Sequence, residues 1–102
     1  MNIVLIGFRG TGKSTVGRLL AKRLERDFID SDKQIEISTE KTIKSIFEED
    51  GEEGFRKIEA GTIAELSKAD NKVISAGGGA VLKGDNVRNL KDNGFLVLLE
   101  AT

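Results

Sequence analysis

The chain has 102 residues, 16 of them Lys or Arg and 17 Asp or Glu, with no cysteine, histidine or proline. That length allows one domain with a modest core. The missing residue types exclude disulfides, zinc–thiolate centres and thiol nucleophiles, and leave acid–base work to carboxylates and lysine. The balanced charge gives no electrostatic ground for a nucleic-acid or anionic-membrane partner, and no apolar stretch has the length of a membrane span or the shape of a signal sequence, so a cytoplasmic protein is expected.

The continuous apolar run Ile3-Val4-Leu5-Ile6 reads as a central parallel strand covered on both faces. A helix is expected from Ser14 to Arg26, with Val16, Leu19, Leu20 and Leu24 as its apolar face. Phe28-Ile29-Asp30 is a short second strand, and Asp32 to Ile37 a short helix. Thr42 is placed to cap a further helix whose inner face is Ile43, Ile46 and Phe47, and which Gly51 breaks. Glu52 to Lys68 then forms a longer helix, with Phe55, Ile58, Thr62 and Leu66 along one side and Gly54 and Gly61 weakening it. Val73-Ile74-Ser75 is a third strand that runs into Gly77-Gly78-Gly79. Asp85 is read as the cap of a short helix that turns Val87 and Leu90 inward and ends at Asn93-Gly94. Phe95 to Leu99, apolar on both faces, is a fourth, buried strand. Alternating strands and helices predict an α/β domain of the P-loop NTPase-like class, a parallel sheet with helices on both faces.

Residues 7–14, Gly-Phe-Arg-Gly-Thr-Gly-Lys-Ser, fit the P-loop pattern G-x-x-x-x-G-K-[ST] at every fixed position, between a strand and a helix. A loop with Gly7, Gly10 and Gly12 can wrap its backbone N–H groups around phosphate oxygens, and the following helix adds unpaired N–H groups and the positive end of its dipole. Lys13 is the mobile charge for the β- and γ-phosphates, and the Ser14 hydroxyl is a small oxygen ligand for Mg²⁺.

Asp30-Ser31-Asp32 sets two carboxylates at the C-terminal end of a strand, where α/β proteins bind ligands. One can serve Mg²⁺ through water and the other can take a proton from an attacking hydroxyl; a solvated turn with a helix cap is the alternative. Arg56 has Glu59 at i+3 to fix its guanidinium, which then suits a substrate carboxylate, although a plain surface ion pair has the same spacing. Three consecutive glycines at 77–79 let backbone approach a ligand closely, or form a flexible loop.

Taken together, GFRGTGKST at 7–15, FIDSD at 28–32, IFEEDGEEGFRKIE at 46–59 and ISAGGGAV at 74–81 resemble shikimate kinase over the whole chain and in order. The resemblance implies ATP-dependent phosphorylation of the shikimate 3-hydroxyl, with Mg²⁺ as cofactor and ATP and shikimate as partners. Gly10, Thr11, Gly12, Lys13, Ser14 and Thr15 would bind the nucleotide; Ser14 and Asp30 would serve the metal. Asp32 would bind the shikimate hydroxyls and, with Lys13, carry catalysis. Arg56, oriented by Glu59, would clamp the carboxylate, while Gly77, Gly78 and Gly79 line the pocket and Phe47 and Phe55 form its apolar wall or belong to the core.

Family members are longer, and their lid, second carboxylate-binding arginine, adenine loop and fifth strand lie beyond the fourth strand. The 102-residue chain is therefore expected to be incomplete at its C-terminus and to turn over weakly, as a monomer if complete or with a partner chain if 1–102 is the natural length. A truncated non-catalytic nucleotide-binding module and another small-molecule kinase, such as a gluconate kinase, are the rival readings. A GTPase is disfavoured, because Asn71-Lys72 is followed by Val73 and Ile74 and no guanine motif forms.

Overall fold

A computed structural model of the chain describes residues 1–7, 12–77, 79–80 and 83–99. Its elements are β1 (Asn2–Ile6), α1 (Lys13–Leu24), β2 (Phe28–Asp30), α2 (Ser31–Thr39), α3 (Ile43–Ser67), β3 (Val73–Ser75), α4 (Gly84–Asp92) and β4 (Gly94–Leu98). The four strands form one parallel sheet in the order β2-β3-β1-β4. The expected α/β architecture is therefore present, with β1 and β3 central.

Alternation along β1 sends successive side chains to opposite faces of the sheet. Val4 joins Ile63, Leu66, Ile74 and Leu90 in a core beneath α3 and α4, whereas Leu5 packs with Ala21 of α1 and Val73 on the other face. A smaller cluster of Ile35, Ile46 and Phe55 binds α2 to α3 away from the sheet. Helices thus cover both faces, as the apolar run 3–6 required.

Three sequence expectations need correction. Val16, Leu19 and Leu24 do not form the inner face of α1; Leu19 is 59% exposed, and the buried residues are Gly17 and Ala21. The helix lies so close to the sheet that a Cβ on Gly17 would press into the Phe28 ring and sit 3.2 Å from Leu5. The inner face is set by where the backbone comes nearest, and there only small residues fit. Asp85 does not cap α4: Lys83 holds that position, Asp85 lies in the first turn, and Asn86 rather than Val87 is buried above Leu90. Asn86 faces inward because its amide donates to the Ala80 carbonyl at 2.9 Å, which anchors the segment after β3. β4 is a strand as expected but not a buried one. It is an edge strand of the described sheet, and Phe95 and Leu98, on opposite faces, remain 64% and 57% exposed.

The long segment 43–67 behaves as predicted at both signal residues. The Thr42 hydroxyl accepts the Ser45 N–H at 3.1 Å, and Gly51 kinks the helix with φ 71° and ψ −178°. Beyond the kink the inward residues are Phe55, Glu59, Ile63 and Leu66; Thr62 is only half-buried and turns its hydroxyl back to the Ile58 carbonyl. Glu59 is the exception in that apolar set, and it leads to the site.

Candidate functional site

The candidate residues gather beyond the C-terminal ends of β1, β2 and β3: Lys13, Ser14 and Thr15 in the first turn of α1, Asp30 at the end of β2, Asp32 in the first turn of α2, and Gly77 and Gly79 in the segment after β3, while Arg56 comes from α3. Gly12 precedes α1 with φ 77° and ψ 23°, a conformation that glycine adopts at no steric cost, and it places no side chain over the helix start. The N–H groups of Lys13, Ser14 and Thr15 therefore head α1 without an intrahelical acceptor. Ser14 and Thr15 are exposed there. Gly10, Thr11 and Gly78 lie outside the described residues.

The Lys13 ammonium reaches back across the strand ends. It donates to the Gly7 carbonyl at 2.6 Å and to the Ala76 carbonyl at 2.9 Å, strapping the end of β1 to that of β3. Burial lowers its pKa from the ordinary lysine value, while the charges of Asp32 and Asp30 pull the other way.

Asp30 uses its two oxygens differently. Oδ1 accepts the N–H groups of Asp32 at 2.9 Å and Lys33 at 3.3 Å and so caps α2. Oδ2 faces α1 and accepts the Ser14 hydroxyl at 3.4 Å. The capping bonds thus fall on Oδ1 and leave Oδ2 facing Ser14. Among the described residues there is no group of three or more His, Cys, Asp or Glu able to hold a metal. Mg²⁺, however, keeps several waters and is usually held by one or two carboxylates together with substrate phosphates. The Ser14 and Asp30 oxygens fit that role.

Asp32 follows on the first turn of α2, half-buried, with its carboxylate against the backbone of Gly77: a Cβ there would lie 2.8 Å from Oδ1. Burial raises its pKa above the usual carboxylate range; Asp30 and Glu36 add to the shift, and Lys13 and Arg56 oppose it. A carboxylate displaced in this direction is a better proton acceptor near neutral pH.

Arg56 comes from the other side, on α3. Its Nη1 donates to Glu59 Oε1 at 2.9 Å, and Glu59 is only 1% exposed. The guanidinium lies 5.3 Å from the centroid of the Phe55 ring and directly over Gly79, where a Cβ would collide with Nη1. An ion pair that buried is no ordinary surface pair; it fixes the guanidinium plane while leaving Arg56 itself 21% exposed at the side chain. The structure therefore brings Asp32, Arg56, Gly77 and Gly79 together. Phe55 is core, stacked on the part-exposed Phe47 with ring centroids 4.6 Å apart.

Sequence reasoning misses Ser31. It is fully buried, and its hydroxyl accepts the Gly77 N–H at 2.9 Å. Its position between two aspartates at a strand end is the available signal, but the partner lies 46 residues away. A groove of about 410 Å³ beside β2, lined by Arg18, Phe28, Lys33 and Ile37 among others, shares only Asp30 with these residues.

Comparison with known proteins agrees with the geometry. The family model for shikimate kinase matches residues 9–102. The shikimate kinase of Pelotomaculum thermopropionicum is 56% identical over 100 residues, and that of Symbiobacterium thermophilum 50% identical over 101 residues. These matches cover 98% and 99% of this chain but 58% of each relative, so the chain spans little more than half the length of the curated relatives it matches. Among solved structures, shikimate kinase from Acinetobacter baumannii in complex with shikimate superposes with a TM-score of 0.96 at 46% identity, covering 99% of this chain and 56% of that one. The shikimate kinase of Aquifex aeolicus gives a TM-score of 0.94 at 39% identity. With Lys13 at the head of α1, the acidic pair at the end of β2 and the Arg56–Glu59 pair over Gly79, the chain belongs to the shikimate kinase family.

Proposed function

We propose that this sequence carries the phosphate site and the larger part of the acceptor site of an enzyme that transfers the γ-phosphoryl group of ATP to the 3-hydroxyl of shikimate, giving shikimate 3-phosphate and ADP. The observation that carries the reading is the Arg56 guanidinium, held by buried Glu59 and laid over Gly79, within the same crevice end as the Asp32 carboxylate. A fixed guanidinium suits a carboxylated acceptor, and a partly desolvated carboxylate suits a hydroxyl that must lose its proton.

The chemistry follows from those placements. Arg56 pairs with the carboxylate of the acceptor, and Asp32 accepts hydrogen bonds from its hydroxyls. The attacking oxygen forms its bond to the γ-phosphorus as the bond from that phosphorus to the β-bridging oxygen breaks; the hydroxyl proton passes to Asp32. Lys13 exchanges the carbonyls of Gly7 and Ala76 for phosphate oxygens, and the N–H groups at the head of α1 hold the phosphates in line. Ser14 and Asp30 would hold Mg²⁺, which when bound neutralises charge on the β- and γ-phosphates. Gly10, Thr11, Gly12 and Thr15 complete the nucleotide site, and Gly78 the acceptor site. The protein works in the cytoplasm, as a monomer in its complete form; no described helix is long and apolar enough to cross a membrane.

Since 1–102 spans 58% of its relatives, this length is expected to bind both ligands but to turn over weakly. Calorimetric titration tests the reading: ADP with Mg²⁺ and shikimate should each bind at one site, and Arg56→Ala should abolish the shikimate heat while leaving the ADP heat. Loss of ADP binding with shikimate binding intact would overturn the role assigned to Arg56.

A further inference from the structure

The mechanism uses Asp30 and Asp32 and passes over the residue between them. Ser31 has no exposed surface, and its Oγ accepts the Gly77 N–H at 2.9 Å. The peptide unit that supplies that N–H is the one joining Ala76 to Gly77. The carbonyl of the same unit, on Ala76, accepts the Lys13 ammonium at 2.9 Å. On its far side Gly77 is fixed again, because its own carbonyl accepts the Ala80 N–H at 3.0 Å. One peptide plane thus stands between the phosphate-side lysine and the acceptor-side loop, and it is oriented by a buried hydroxyl. The Asp32 carboxylate rests against Gly77, near enough that a Cβ would come within 2.8 Å of Oδ1.

We propose that Ser31 is a positioning residue: by holding the Ala76–Gly77 peptide plane it sets both the seat of the Asp32 carboxylate and the resting place of the Lys13 ammonium. Without the hydroxyl the Gly77 N–H is left part-buried and unpaired, and the plane turns to find water. That rotation withdraws the Ala76 carbonyl from Lys13 and opens the Gly77 side of Asp32 to solvent. Hydrogen bonds in such a chain polarise one another, so the loss of one weakens the next. The other groups that face Asp32, namely Asp30, Glu36, Lys13 and Arg56, keep their identities when Ser31 is changed.

The inference rests on the proposed role of Asp32 only for its catalytic meaning, and the test separates the two. In Ser31→Ala, exchange of the Gly77 amide should quicken on the order of tenfold. Ser31→Thr keeps the oxygen and should restore the slow exchange. With shikimate as probe, affinity should fall about tenfold in Ser31→Ala and recover in Ser31→Thr. An unchanged Gly77 amide in Ser31→Ala overturns the proposal. So does a Gly77 amide in the unaltered protein that exchanges as fast as an open loop, a measurement that stands even if the alanine variant does not fold. Failure of the unaltered protein to bind shikimate would count against the reading of Asp32 and Arg56, while the amide still decides on Ser31.

Discussion

Replacing Arg56 with alanine removes the cation from a carboxylate that has almost no access to water, since Glu59 is 1% exposed. Breaking a buried pair by deleting one partner costs about 3–5 kcal/mol, and the 21% exposure of the Arg56 side chain places this case below that range, at about 2–3 kcal/mol. For a domain of this size such a loss lowers Tm by about 10–20 °C. Adding Glu59→Gln removes the stranded charge and should return about half of the loss; the remainder reflects the guanidinium packed on Phe55 and over Gly79. Shikimate binding should behave differently. Arg56→Ala should weaken it on the order of a hundredfold, the worth of a bidentate charge-assisted contact, and the double variant should not recover it. Thermal melts and calorimetry on the two single variants and the double variant complete the cycle. A Tm within about 3 °C of the unaltered protein for Arg56→Ala would show that the pair is an ordinary surface bridge. Recovery of shikimate affinity in the double variant would show that Arg56 acts on stability alone.

Further outcomes follow from the same geometry. Asp32 has a raised pKa in the folded state, so its favourable contribution is complete below the unfolded carboxylate pKa and is lost as pH rises through the folded value. Asp32→Asn should therefore melt at or above the temperature of the unaltered protein at pH 7, with the advantage fading as pH falls toward 4, while phosphoryl transfer drops by roughly a hundredfold or more; a lower Tm at pH 7 would refute this. Lys13→Met should weaken ADP binding about tenfold to a hundredfold and leave shikimate affinity within about threefold, as read by calorimetry. Gly17→Ala gains about 1 kcal/mol of helix propensity but drives a methyl into Phe28 and Leu5, so a net loss of about 1–2 kcal/mol is expected in denaturant melts.

Much of this site is legible in the sequence, because its parts are local. The P-loop announces itself in eight consecutive residues between a strand and a helix, and the Asp30–Asp32 and Arg56–Glu59 pairs are set by spacing within one turn. What stays hidden depends on distant contacts. Gly17 counts as a blank in a hydrophobic pattern, yet it marks the closest approach of α1 to the sheet, so the pattern assigns the larger residues beside it to the core in its place. Ser31 carries no charge, and its meaning comes from a glycine 46 residues on. Hydropathy favours Val87 over Asn86 for the inner face of α4, yet Asn86 is buried, with its Nδ2 donating to the Ala80 carbonyl and its Oδ1 left without a partner among the described residues. The apolar run at 95–99 reads as buried, but in the described sheet β4 lies at an edge, with Phe95 and Leu98 exposed.

The most direct measurement is an NMR titration of the chain with ADP and Mg²⁺, followed by shikimate. Nucleotide should move the Lys13 and Ser14 amides, the first turn of α1 and the Asp30 carboxyl; shikimate should then move Asp32, the Arg56 guanidinium, Gly77 and Gly79. Shifts confined to the groove formed by Arg18, Phe28 and Ile37, or no shifts at either set of residues, would contradict the assignment of both sites.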